Sequence, residues 1–158
     1  MSNFLEALDV KVDEIEKPPL PPIGHYVFQV SKPVRFGEVG QGVWDTVDFQ
    51  LTAKEAKEDV DPKELKAMKA IGNVSLRHRF MFRKVCENEE EEKQADRAKY
   101  NLRLFLSNHL GIDTSGMSVR QALDAAQGQI CLANVQHRPN PDDPENPYAE
   151  IGRTAPAS

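Results

Sequence analysis

This 158-residue chain is poor in the residues that organise small extracellular, metal-bound or membrane proteins: it has two cysteines, one tryptophan and no long apolar run. Cys86 and Cys131 have neither Cys-x-x-Cys spacing nor a nearby pair of histidines. The sequence therefore gives no basis for a disulfide framework or a structural zinc site, and two reduced thiols are expected. Without a run of about 18 apolar residues, a membrane-spanning helix is excluded. Glu6 and Asp9 stand where a secretory signal would carry basic and then apolar residues, so no such signal is expected. The glycines of residues 36–42 (FGEVGQG) are followed by no Gly-Lys-Ser/Thr and open no helix, which excludes a phosphate-cradling loop. Asp45 and Asp48 are three apart on an expected strand, so they project to opposite faces and cannot share a metal. No Ser-His-Asp or Cys-His pairing has motif support. The expectation is a non-enzymatic protein with no cofactor and no metal.

Charge is organised in blocks. Residues 1–17, 87–92 and 142–145 carry net charges of −3, −5 and −3, which leaves +6 on the rest of a chain whose total is −5. The acidic pI of about 5.4 therefore conceals basic strands. Residues 73–84 (NVSLRHRFMFRK) are the clearest case. At period two, Val74, Leu76, His78, Phe80 and Phe82 fall on one face, and Ser75, Arg77, Arg79, Met81 and Arg83 on the other. Three arginines on one exposed strand face repel one another, which points to an anionic partner such as a nucleic-acid backbone.

Along the chain, residues 1–22 read as an acidic amphipathic arm (Phe4, Leu5, Leu8, Val12 and Ile15 at helical spacing) ending in the extended linker KPPLPP. The folded domain occupies residues 23–158. Its first strand is expected over residues 25–36 with Pro33 at a bend, followed by a glycine hairpin and a second strand over 43–52. A helical insertion follows at about 54–72, with Asp61-Pro62 starting its helix and Gly72 stopping it. The basic strand spans about 73–85, and the longest helix runs from Glu89 to about Leu110, closed by Gly111. A short helix from Ser118 to near Gly128, a strand over 129–138, a polar proline-rich loop at 139–147 and a strand over 148–154 complete the chain.

The expected fold class is mainly β with helices (α+β): a five-stranded OB-fold barrel with the main helix between strands 3 and 4. An open antiparallel sheet with helices on one face is the alternative. The segments LPPIGHYVFQV, VWDTVDFQL, the helix end at residues 102–111, and QICLANVQHR with YAEIGRTAP resemble a family of small phage proteins from replication and recombination modules. The similarity spans about residues 20–156. It implies an OB-fold that binds single-stranded DNA, works in the host cytoplasm and spans no membrane. Cellular single-stranded DNA-binding proteins end in an acidic partner-recruiting tail, whereas this chain ends GRTAPAS. The acidic N-terminal arm is the segment that could recruit replication or recombination proteins in its place.

A single-strand binder needs cations along the backbone path and flat rings for bases. Arg77, Arg79 and Arg83 supply the first, joined by Lys32, Arg35, Arg138 and Arg153; Trp44 and Phe36 supply the second. Against these stand structural roles: the arginines can pair with Asp45, Asp48 or residues 87–92, Trp44 can cover a barrel end or lie under a helix, and His78 reads as a hydrogen-bonded core residue. The expected function is sequence-independent binding of single-stranded DNA. A small β-barrel protein-interaction or virion-associated module is the alternative, with Trp44 and Arg77 as interface anchors. Sequence separates neither DNA from RNA nor monomer from homo-oligomer.

Overall fold

Proline sets the first break in the chain path. The expected strand over 25–36 is two strands in the computed structural model, β1 (Gly24–Val30) and β2 (Arg35–Val39), because residues 31–34 step out of the ladder around Pro33, which has no N–H to give. The remaining strands are β3 (Trp44–Ala56), β4 (Ser75–Arg83), β5 (Ile130–Arg138) and β6 (Tyr148–Ala155). The helices are α1 (Phe4–Ala7), α2 (Pro62–Ala67), α3 (Glu89–Leu104) and α4 (Val119–Ala125). The structure describes residues 4–15 and 17–157, so residues 1–3 and 16 of the expected arm lie outside it.

The six strands form one antiparallel sheet built around β3. One edge of β3 is shared end to end: β2 pairs with residues 44–48 and β1 with 51–56. The other edge pairs with β4, from Trp44↔Arg83 to Thr52↔Ser75. On its far side β1 pairs with β5, and β5 with β6. A bulge between Val27 and Phe28 sharpens the local twist. The sheet curves until its β4 and β6 edges touch, but they form no ladder and the sheet is not closed. Among the described residues no helix is long and apolar enough to cross a membrane.

The β2–β3 turn explains its glycines. Gly40, Gln41 and Gly42 take φ of 63°, 57° and 83°, a left-handed run that matches the twist of a hairpin. The insertion begins later than expected, since β3 continues to Ala56. Asp61 caps α2 by accepting from the Lys63 N–H at 2.8 Å, but Gly72 does not end that helix. Lys69 takes the left-handed position at φ 71°, and Asn73 Nδ2 donates to the Met68 carbonyl at 2.7 Å. The side-chain cap makes good the conformational cost that a glycine would have avoided.

Asn88 caps α3, its side chain accepting from Glu91 N–H at 2.9 Å, and four glutamates occupy the positive first turn. The helix then widens into a π-turn over Phe105–His109 before Gly111 (φ 69°). Widening brings consecutive Phe105 and Leu106 both inward. Ser118 and Gln121 form the expected reciprocal capping box of α4.

Tyr26, Phe28, Phe49, Leu51, Phe105 and Val135 anchor the core. Fully burying one such aromatic ring is worth roughly 1.5–3 kcal/mol. Phe105 lies 4.9 Å from Phe49, 5.4 Å from Phe80 and 5.1 Å from the His78 ring, centroid to centroid. His78 thus faces inward as its period-two position predicts, but it is held by ring contacts. Among the described residues no hydrogen bond to its imidazole is seen. Burial, assisted by nearby His109, pushes its pKa down to about 4. Cys131 is buried, and its thiol is pushed up to about 12, leaving it inert; both cysteines are free.

Candidate nucleic-acid interface

Strand alternation on β3 and β4 creates the site. Asp48 opposes both Arg35 on β2 and Arg79 on β4, while Gln50 opposes Arg77, so these five side chains share one sheet face. Where β4 approaches β6, this face sinks into a cleft of about 930 Å³. Arg35, Gln50, Arg77 and Arg79 line one wall; Arg138, Tyr148 and Glu150 line the other. A smaller pocket of about 280 Å³ continues from it past Arg35 and Arg77 to Pro33 and Phe36.

The four cleft arginines are not equivalent. Arg79 makes a two-pronged pair with Asp48, Nε to Oδ1 at 2.8 Å and Nη2 to Oδ2 at 3.0 Å. Arg138 lies 3.5 Å from Glu150 and 5.5 Å over the Tyr148 ring. Arg35 and Arg77 are exposed and have no ion-pair partner among the described residues. Four guanidinium groups against two carboxylates leave the concavity positive, with its uncompensated charge at Arg35 and Arg77.

Flat surface accompanies the charge. Phe36 is 63% exposed on β2 beside the smaller pocket, and Tyr148 is exposed at the start of β6. Gln50 is anchored on this face by its amide, which donates to Ser75 Oγ at 2.7 Å.

The other sequence candidates lie elsewhere. Trp44 and Arg83 do share the arginine face, at its far end. There α3 closes over them: both line a small pocket with Glu91, Gln94, Ala95 and Ala98. The Arg83 guanidinium sits 4.7 Å from the Trp44 ring centre and 3.4 Å from Glu91. The Gly40 backbone comes so close to the indole edge that a Cβ there would lie 3.0 Å from Cδ1. Trp44 is half-buried with one ring face taken, the arrangement of a strut between sheet and helix. Lys32 is exposed in the β1–β2 connection beside Pro33, without an ion pair among the described residues. Arg153 is exposed on β6 but does not line the cleft; its N–H donates to Asn134 Oδ1 at 2.6 Å.

Sequence reasoning missed Tyr148 and the carboxylates that select among the arginines. A signal for Tyr148 existed: a hairpin over the proline-rich loop 139–147 sets residue 138 opposite 148, and Arg138↔Tyr148 is the observed pair. Among the described residues no group of three or more His, Cys, Asp or Glu is placed to hold a metal ion. No protein-family model and no curated protein sequence matches this chain.

Proposed function

We propose that this protein binds single-stranded DNA without sequence preference, as an OB-fold coating protein of phage replication or recombination. The observation that carries the reading is the placing of two unpaired arginines (Arg35 and Arg77) in a cleft with one exposed ring, Tyr148, and in an adjoining pocket edged by a second, Phe36. Cations set along a channel with stackable rings serve any base, because every base has a π-face and every nucleotide a phosphate. The fold supports the same reading. An OB barrel has a long first strand broken between two partners, a helix between its third and fourth strands, and a partly open seam. Here β1 and β2 share one edge of β3, α3 lies between β4 and β5, and the cleft follows the β4–β6 seam. Phosphate and ring contacts do not separate ribose from deoxyribose, so single-stranded RNA of the same length is a competing ligand.

The test is fluorescence anisotropy of a labelled oligo-dT of about 30 nucleotides at two salt concentrations, beside a duplex. Two free arginines require log Kd to change with log salt by at least about 1.4, and engagement of all four raises this to about 3. Arg35→Glu with Arg77→Glu should abolish binding while the protein stays folded. Absence of single-strand binding at low salt, or equal binding to duplex, sinks the proposal and turns the search to protein partners.

A further inference from the structure

A second recessed surface lies away from the cleft. α3 and α4 wall a groove of about 580 Å³, whose apolar lining includes Tyr100, Leu106, Met117 and Val119 and whose charged groups are Lys99 and Arg103. No carboxylate lines it, and neither cation has an ion-pair partner among the described residues. Val119 is 63% exposed in the single chain, and Tyr100 and Met117 are exposed with it. Apolar side chains left together in a recess under a positive rim suit a partner that is apolar on one side and acidic on the other.

The chain carries such a partner. In the N-terminal arm Leu5, Leu8, Val12 and Ile15 are all exposed, Val12 by 85%. Asp9, Asp13 and Glu14 stand among them, exposed and unpaired among the described residues. Among the described residues, none in the arm lines the groove of its own chain. Its linker is tied to the sheet: Tyr26 OH donates to the Pro22 carbonyl at 2.7 Å, His137 Nε2 donates to the Pro21 carbonyl at 2.7 Å, and Lys17 Nζ donates to the Glu145 carbonyl at 3.0 Å. The arm therefore departs from the β5–β6 loop, while the groove belongs to α3 and α4.

We infer that the acidic arm of one copy docks in the α3–α4 groove of a second copy. Leu8 and Val12 fill the recess beside Tyr100 and Val119, and Asp9 and Asp13 meet Lys99 and Arg103. Reciprocal exchange closes a two-fold dimer, and one-way donation links copies in a row. Fixing the exposed side chains of the arm against the groove costs conformational entropy, so the association is modest and, with its charge pairs, salt-sensitive.

Two full-length variants test this without disturbing the core, since every altered side chain is exposed. Leu8→Asp with Val12→Asp spoils the arm; Lys99→Glu with Arg103→Glu spoils the groove. Sedimentation equilibrium without nucleic acid should show the unaltered protein associating with concentration and each variant at least about tenfold weaker, the loss expected from reversed charge at an interface. A one-to-one mixture of the two variants should regain association, because one supplies an intact groove and the other an intact arm. The inference is overturned if the unaltered protein is monomeric at every concentration. It is equally overturned if either variant associates normally, or if the mixture stays monomeric, as it would were the arm's partner a different protein.

Discussion

Acidification should loosen this fold through one side chain. His78 is neutral in the native protein because its ring is packed between Phe80 and Phe105, 4.8 and 5.1 Å from their centres, with His109 close by. In the unfolded chain it protonates near its ordinary value of 6.5; in the fold it resists until about 4. Between those values the unfolded state binds the extra proton, so stability rises with pH across the window. The contribution is complete above 6.5 and is lost as pH falls toward 4. At roughly 1.36 kcal/mol per unit, the interval is worth about 3 kcal/mol, a large part of the 5–15 kcal/mol or so that a domain holds. Urea unfolding of the protein and of His78→Phe at about pH 7.5, 6 and 4.5 isolates this effect, since carboxylate protonation acts on both alike. His78→Phe should flatten the profile by about 2–3 kcal/mol between the ends of the series. Parallel profiles would show that His78 charges freely in the fold, and the packing argument would fail.

Four further outcomes follow from the cleft and its frame. Arg79→Ala strands the Asp48 carboxylate, whose side chain is only 14% exposed, and should cost about 1.5–3 kcal/mol in thermal melts. Arg77→Ala, by contrast, should stay within about 0.5 kcal/mol in the same melts and lower the salt slope of oligo-dT binding by about 0.7. Phe36→Ala should leave the melting temperature unchanged and weaken oligonucleotide binding by about 1–3 kcal/mol; unchanged affinity in the anisotropy titration would remove Phe36 from the interface. Gly24→Ala places a Cβ 2.6 Å from Val60 Cγ2 at a backbone φ of +140°. It should lower the urea midpoint at constant slope, by an amount of order 1–3 kcal/mol.

Local chemistry was legible in the sequence. The period-two pattern of residues 75–83 assigned Phe80 inward and Arg77 outward; Asp61 and Ser118 marked helix starts; the glycines at 40 and 42 marked a hairpin. Each depends on a residue and its near neighbours in the chain, so spacing is enough to read it. The stop of α2 was misread for the same reason. A glycine is the usual signal, but Asn73 reaches back to Met68 and lets Lys69 take the left-handed turn. Composition and alternation could also say that the arginines face outward together.

What they could not say is which arginines are free. That depends on contacts across strands far apart in sequence. Asp48 lies opposite Arg79 and takes its charge, α3 folds back to bring Glu91 to Arg83 and cover Trp44, and β6 carries Glu150 to Arg138. Residue spacing along the chain is enough to establish a basic strand face. That its unspent charge sits at Arg35 and Arg77 emerges from the folded sheet, because an ion pair is fixed by distance in space and the chain encodes that distance only through the whole sheet.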